Sequence, residues 1–415
     1  MKSNQYDVII VGGGPAGLAA AIFAGRNGHE AVVLERLNSP GKKLLATGGG
    51  HCNLTNTLPL ETFARNFGKQ WRFTLPAFQN FNPQALRDFF RSLGVETESP
   101  DGFHVFPVSN KASDVLNALL SECGKLGVEI LSGRQVKQLV AENNTISGVI
   151  TDSEEMKSDK VIIACGGRSY PALGSNGSGY QLAKFAGHKI IEPVPALVEL
   201  HCSEKWPGSC AGIALKNIRI DVFPPKKTSE FSEGYFLFTH SGISGPAALN
   251  ISGTVSELLH QNNSAEVFVN FFPEKSVSDW MNDFDLWQRK DGKKQISKII
   301  SEYLPRRIAE IFCSESGCEN TEASRLSRAS REKLSSTLSS CRLKITGTAG
   351  FDKAMVTRGG ISLKEINPQT MGSRIVKGLY FAGEVIDIDG PCGGFNLQWA
   401  FSSGHLAGTQ DILTG

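Results

Sequence analysis

The chain has 415 residues, 40% of them hydrophobic and 20% charged, with a formal net charge of +2 at pH 7. That composition supports a sizeable core and two or three domains, or one large domain with an insertion. The near-neutral charge argues against a dedicated nucleic-acid binder, which carries a basic excess.

Nine cysteines at irregular intervals contain no C-x-x-C and no Cys/His spacing suited to zinc. Reduced thiols in a cytosolic protein are the plain reading, with no metal expected. Near the start, the apolar run Val8–Val11 is too short for a signal peptide or a membrane span, and no later stretch is long enough to cross a bilayer. The expectation is a soluble cytoplasmic protein with no membrane partner.

The stretch "YDVIIVGGGPAGLAAAIFAGRNGHEAVVLER" reads as a β-α-β unit. Asp7–Val11 suits a buried parallel strand. Gly12, Gly14 and Gly17 then supply G-x-G-x-x-G at its end. An Ala-rich helix runs from Pro15 to about Asn27, Gly28 stops it, and Ala31–Leu34 forms a second strand ending on Glu35. Gly12 permits the tight turn, Gly14 lets a pyrophosphate approach the backbone, and Gly17 lets helix and strand pack closely. The helix N-terminus, at Pro15 and Ala16, offers N–H groups and a positive dipole end to phosphates. Glu35 can accept hydrogen bonds from an adenosine ribose. A dinucleotide, FAD from the position of the fingerprint, is the expected cofactor, and Arg36 and Val136 are read as further contacts.

The next stretch, "LATGGGHCNLTN", leaves the sheet on the side where ligands of α/β folds bind. Gly48, Gly49 and Gly50 can take positive φ and lie against a flat ring system. Lys43 and Asn53 could reach cofactor phosphate or flavin edge atoms; the asparagines could equally hold the loop by Asx-type hydrogen bonds. His51 is a candidate acid/base. Cys52 could pair with Cys392 or form a flavin adduct, but no short cysteine motif supports this, and a small buried filler is the plainer role. Midway, "SDKVIIACGGRSYPALGSNGSGY" gives a buried strand, Val161–Ala164, followed by Gly166-Gly167.

From about Pro195 apolar and polar residues alternate, as in "PALVELHCSEKWPGSCAGIALKNIRIDVFPPKK", which is β-rich in outline. In "THSGISGP", His240 and Ser241 could lie over a flavin, or the segment could be a barrel turn. Tryptophans, charges and helix formers dominate 274–338, as in "ISKIISEYLPRRIAEIF". The basic runs "RKDGKK" and "PRR" read as solvated faces. "AMVTRGGIS" brings Thr357 and Arg358 onto the return path, where Arg358 could bind an anionic group or make a surface salt bridge.

The C-terminal "GLYFAGEVIDIDGPCGGFNLQWAFSSGHLAG" has a short strand, Leu379–Ala382, ending at Gly383-Glu384, then a helix opened by Gly394, Phe395, Asn396 and Leu397. It resembles the second FAD motif of two-dinucleotide-fold flavoproteins, in which the acid, here Glu384, meets the ribityl chain. The N–H groups of the helix would face the flavin.

Together with "GGGPAGLAAA", "GKKLLATGGGHCNLTN", "GGRSYPALGSNGSGY" and "THSGISGPAALNIS", these motifs are similar to those of the aminoacetone-oxidase/BaiN-like family of FAD-binding flavoproteins. The resemblance spreads over nearly the whole chain. It implies an α/β fold with a Rossmann-like FAD-binding domain built from both chain ends, interrupted by a β-barrel and a helical part. The expected bounds are 1–194, a β-rich insert 195–273, a helical insert 274–340, and a return through 341–415. His51 stands where the family commonly has Arg, Ser178 where it has Asp, and Cys392 where it has Thr, so fold transfers further than substrate.

The implied function is an FAD-dependent oxidoreductase acting on a small organic molecule. It would either oxidise a small amine or aminoketone with oxygen, or reduce an unsaturated carbonyl compound with NAD(P)H. With no second G-x-G-x-x-G, a nicotinamide would visit the flavin directly as a transient co-substrate. The alternatives are a flavoprotein that docks on or modifies RNA, and a flavin-binding scaffold without turnover.

Overall fold

A computed structural model describes residues 4–222 and 230–411. The chain divides into two units, Met1–Val194 with Met355–Gly415, and Pro195–Ala354.

The first unit is built on a five-stranded parallel sheet. At its centre Val8–Val11 (β1) pairs with Ala31–Glu35 (β2) on one side and Lys160–Ile163 on the other, with Ile10 level with Val33 and Ile162. Glu129–Ser132 extends the sheet beyond β2, and Leu379–Phe381 extends it beyond Lys160–Ile163. Both chain ends therefore contribute strands to one sheet. The three central strands are almost entirely buried, as unbroken apolar runs require when helices cover both faces.

Helix α1, Pro15–Arg26, starts on a proline whose missing N–H costs nothing at the first turn. It stops at Gly28, whose φ of +83° suits the left-handed position after a helix. The C-terminal helix Phe395–Gly408 lies against α1 at backbone distance. A Cβ on Gly404 would come within 2.3 Å of the Ala16 carbonyl oxygen, and one on Gly408 within 2.4 Å of that of Ala20. The terminal helix also carries Trp399 and Phe401, which meet Phe78 and Phe90 edge-on. These come from the helices Trp71–Asn80 and Pro83–Ser92, for which no element was anticipated in the sequence.

The second unit contains a closed six-stranded barrel, in the order Leu200–Cys202, Gly242–Ser244, Glu230–Phe238, Ala214–Val222, Ala265–Asn270 and Cys341–Thr348. Alternate side chains, among them Ile218, Ile220, Phe236, Val267, Val269, Leu343 and Ile345, are buried. Helices Val277–Lys290, Ile296–Ile300, Arg306–Glu315 and Arg328–Ser340 form the helical part. Ser276 opens the first of them with a reciprocal capping box to Asp279.

Two details differ from the sequence expectation. Cys341–Thr348 is a barrel strand, paired with Ala265–Asn270 and Leu200–Cys202, so the first unit resumes at Met355 rather than at 341. Its alternation of buried Cys341, Leu343 and Ile345 is that of a barrel wall. Within the β-rich insert, Pro246–Asn262 is a helix of 17 residues, entered through Pro246 and buried through small residues such as Ala247, Ala248, Ser252 and Gly253. The end of the alternating stretch, from Phe223 to Lys227, lies outside the described residues. Among the described residues no helix is long and apolar enough to cross a membrane.

Candidate functional site

The turn from β1 to α1 is shaped by its glycines. Gly12 has φ +109°, and a Cβ there would sit 2.7 Å from the Ala164 carbonyl oxygen; one on Gly17 would sit 1.9 Å from that of Gly12. Gly14 differs, because nothing lies within 4 Å of its absent Cβ. It faces open space, with the first turn of α1 free of acidic residues and of any side-chain cap. The carboxylate of Glu35 accepts from the Gly13 N–H at 2.8 Å and the Leu37 N–H at 2.7 Å. These bonds hold the acid at the mouth of the turn.

That open space belongs to a solvent-connected cavity of about 980 Å³ at the carboxyl ends of the strands. Gly12, Gly14, Pro15, Ala16, Glu35, Lys43, Gly166, Gly383, Glu384, Asn396 and Leu397 all border it. Arg36 and Val136 border a smaller cleft of about 370 Å³ that shares Gly12, Glu35 and Gly174 with the first. Gly17 and Phe395 are buried beside these spaces, and neither they nor Gly394 form part of the cavity wall.

The glycine loop lies outside the cavity lining, which it reaches only through Thr47. Gly48, Gly49 and Gly50 have φ of +56°, +66° and +95°, and none is buried. With its amide turned to meet a donor and an acceptor, Asn53 gives a hydrogen bond to the Thr55 carbonyl at 2.9 Å and takes one from the Gly394 N–H at 3.1 Å. It thereby ties the loop to the start of the terminal helix. His51 is exposed, its Nδ1 3.1 Å from the Asn110 carbonyl oxygen. Cys52 is fully buried, and burial pushes its thiol up to about 12; Cys392 is likewise raised, to about 11. His240 lies in the second unit, exposed just beyond the strand Glu230–Phe238. Arg358 makes a salt bridge with Asp389 through Nε and Nη2, at 3.0–3.1 Å.

A connected polar cluster surrounds Glu384. Lys43 Nζ donates to Glu384 Oε2 at 2.7 Å and to Ser169 Oγ at 2.5 Å. Ser169 Oγ and the Thr357 N–H donate to Glu384 Oε1 at 2.7 and 2.9 Å. Gly167 makes room for this, since a Cβ there would fall 2.4 Å from Thr357 Oγ1. Sequence reasoning named Lys43 and Glu384 but gave no role to Ser169 or Thr357, nor to Lys42 and Cys165, which also border the cavity. None of these four sits in a spacing that marks it in advance.

Residues 6–410 match the family model described as "HI0933-like protein Rossmann domain". The chain belongs to the HI0933-like family. It is 34% identical over 402 residues to the 3-dehydro-bile acid delta(4,6)-reductase of Clostridium scindens, covering 96% of this chain and 97% of that one. It is 30% identical over 414 residues to the ribosomal RNA dihydrouridine synthase of Escherichia coli, covering 99% and 98%. Among solved structures, the 3-ketosteroid delta1-dehydrogenase of Sterolibacterium denitrificans aligns with a TM-score of 0.54 at 11% identity, over 98% of this chain and 99% of that one; this likeness is one of fold. The resemblance read from the motifs is borne out, and the chain is an FAD-dependent oxidoreductase.

The residues present fit the cofactor. A helix N-terminus without acids, a glycine open to solvent and Lys42 on the cavity wall suit a pyrophosphate. Carboxylates on two different strand ends suit the hydroxyls of two sugar-like chains.

Proposed function

We propose that the chain reduces a carbon–carbon double bond conjugated to a carbonyl in a small organic substrate, with NAD(P)H as the transient electron source. The observation that carries this reading is the pair of relatives matched over nearly their whole length, one named for reducing a bile-acid derivative and one for making dihydrouridine. Saturating an unsaturated ketone and saturating the uracil ring both add hydrogen across a double bond conjugated to a carbonyl.

In this reading Glu35 accepts from the adenosine ribose, with Arg36 and Val136 beside the adenine. Gly14, the first turn of α1 and Lys42 receive the pyrophosphate, and Glu384 receives the ribityl chain. The N–H groups of Asn396 and Leu397 face the flavin ring, and Gly48, Gly49, Gly50 and Asn53 shape the loop next to it. Bound FAD supplies the two-electron hydride chemistry. The protein's part is to hold the ring, exclude water through side chains such as Met355, Val356, Ile388 and Leu397, and orient the substrate. Exposed His51 is a candidate for exchanging a proton with solvent.

A second reading, uridine within ribosomal RNA as the substrate, is favoured by the name of the E. coli relative. Against it, many cations of the helical part are already answered by carboxylates: Lys275 by Asp283, Arg306 by Glu310, Arg328 by Glu332 and Arg331 by Asp285. Phosphate binding needs cations that are not so matched.

Anaerobic absorbance during NADH and NADPH addition tests the proposal. Bleaching of the flavin band, and its return on adding an unsaturated ketone, is the expected result. Return only with a uridine-containing RNA favours the second reading. No bleaching by either nicotinamide, with reduction by a small amine instead, refutes both.

A further inference from the structure

We infer that Thr357 is a positioning residue for the Glu384 carboxylate, acting through the backbone of Arg168 and Ser169. The inference rests on the reading that FAD fills the cavity, and it concerns how one wall of that cavity is set before the cofactor arrives.

Thr357 is completely buried. Its hydroxyl accepts from the N–H groups of Arg168 and Ser169 at 2.8 and 3.1 Å, which fixes the turn that follows Gly167. Its own N–H donates to Glu384 Oε1, and the Ser169 hydroxyl placed by that turn donates to the same oxygen. Lys43 closes the ring by donating to both Ser169 and the other carboxylate oxygen.

An ionised carboxylate offers about four acceptor sites. Two on Oε1 and one on Oε2 are taken by these donors, which leaves one site on Oε2, in a side chain that borders the cavity. The arrangement accepts one further donor and needs no reorientation to do so. It selects a hydroxyl, which can donate, over an ether or carbonyl, which cannot. A polyhydroxylated chain such as that of FAD supplies this group. Without the Thr357 hydroxyl, two backbone N–H groups lose their acceptor in a buried place, so the turn shifts and Ser169 leaves the carboxylate. Glu384 then keeps only Lys43 on Oε2 and the residue-357 N–H on Oε1, and without Ser169 its aim into the cavity loosens.

The test measures the dissociation constant of FAD, by flavin fluorescence, for apoprotein prepared from the holoenzyme. The variants are Thr357→Val, Thr357→Ser and Ser169→Ala, each alone and combined with Glu384→Gln. Thr357→Val and Ser169→Ala are expected to weaken FAD by about ten- to a hundredfold, the value of a hydrogen bond to a charged group. Thr357→Ser, which keeps the hydroxyl, stays close to wild type. With Glu384→Gln already present, the same substitutions cost little, because the ionised acceptor they aim is gone.

A hydroxyl that merely pinned the turn would cost as much in either background, so fully additive losses overturn the inference. Wild-type affinity in Thr357→Val overturns it too. If Thr357→Val does not fold, Ser169→Ala with and without Glu384→Gln decides the matter by the same additivity. Wild-type protein that takes up no FAD overturns both this inference and the reading of the cavity.

Discussion

Replacing Gly14 by Ala separates cofactor binding from folding in one substitution. Gly14 has extended backbone, φ −81° and ψ −178°, which any residue adopts, and its new Cβ meets no protein atom within 4 Å. Alanine at a helix N-cap costs about 0.5–1 kcal/mol relative to glycine, and the lost chain entropy of the unfolded state returns about 0.4–1 kcal/mol. The apoprotein should therefore melt within about 2 °C of wild type. The methyl group, however, occupies the space where the pyrophosphate would contact the first turn of α1. Losing two charge-assisted N–H bonds there costs about 3 kcal/mol, or roughly a hundredfold in FAD affinity. Thermal melts of apoprotein and FAD titrations measure the two quantities side by side. Gly17→Ala is the opposite case: its Cβ would lie 1.9 Å from the Gly12 oxygen, so the fold itself loses stability. Gly14→Ala that binds FAD as tightly as wild type would refute the placement of the pyrophosphate at this turn.

Further predictions concern stability and reactivity. His405 is stacked on Phe81 at 4.7 Å and half-buried, and the loss of water around it pushes its pKa down from 6.5 to about 4. Between these values the unfolded chain binds the proton and the folded one does not, so stability is lost as pH falls from 6.5 towards 4, by up to roughly 3 kcal/mol. His405→Phe should flatten that acid limb in urea unfolding measured from pH 4 to 7. Phe236, fully buried in the barrel with its ring 4.8 Å from that of Phe238, should cost about 3–5 kcal/mol when replaced by Ala, seen as an earlier chemical unfolding transition. The Cys165 thiol on the cavity wall is pushed up to about 12 by burial, so it should alkylate slowly at pH 8, and more slowly still with FAD bound, by mass spectrometry of iodoacetamide-treated protein.

Much of the first unit was legible because its signals are local. The run into Gly12, Gly14 and Gly17, the small-residue helix and the second strand ending on Glu35 each obey a short-range period or a single backbone requirement. The same holds for Leu379–Phe381 and the helix that follows Gly394. The assignment of Cys341–Thr348 was less accessible, because alternation marks a strand but not the sheet it joins. The helix Pro246–Asn262 was obscured by its small buried residues, which blur the apolar stripe that marks an amphipathic helix.

By itself, then, the sequence determined the dinucleotide turn and the acid at each of two strand ends, while the joining of both chain ends in one unit was implied by the family resemblance. Strand and helix periods and glycine φ values are properties of a few neighbouring residues. Only the tertiary structure brought Lys43 to Glu384 across a separation of 341 residues, and Thr357 and Ser169 to the same carboxylate. It also kept the glycine loop out of the cavity wall and used Asn53 to tie that loop to Gly394. A hydrogen bond between side chains depends on where whole strands and helices pack, and no spacing along the chain encodes that in advance.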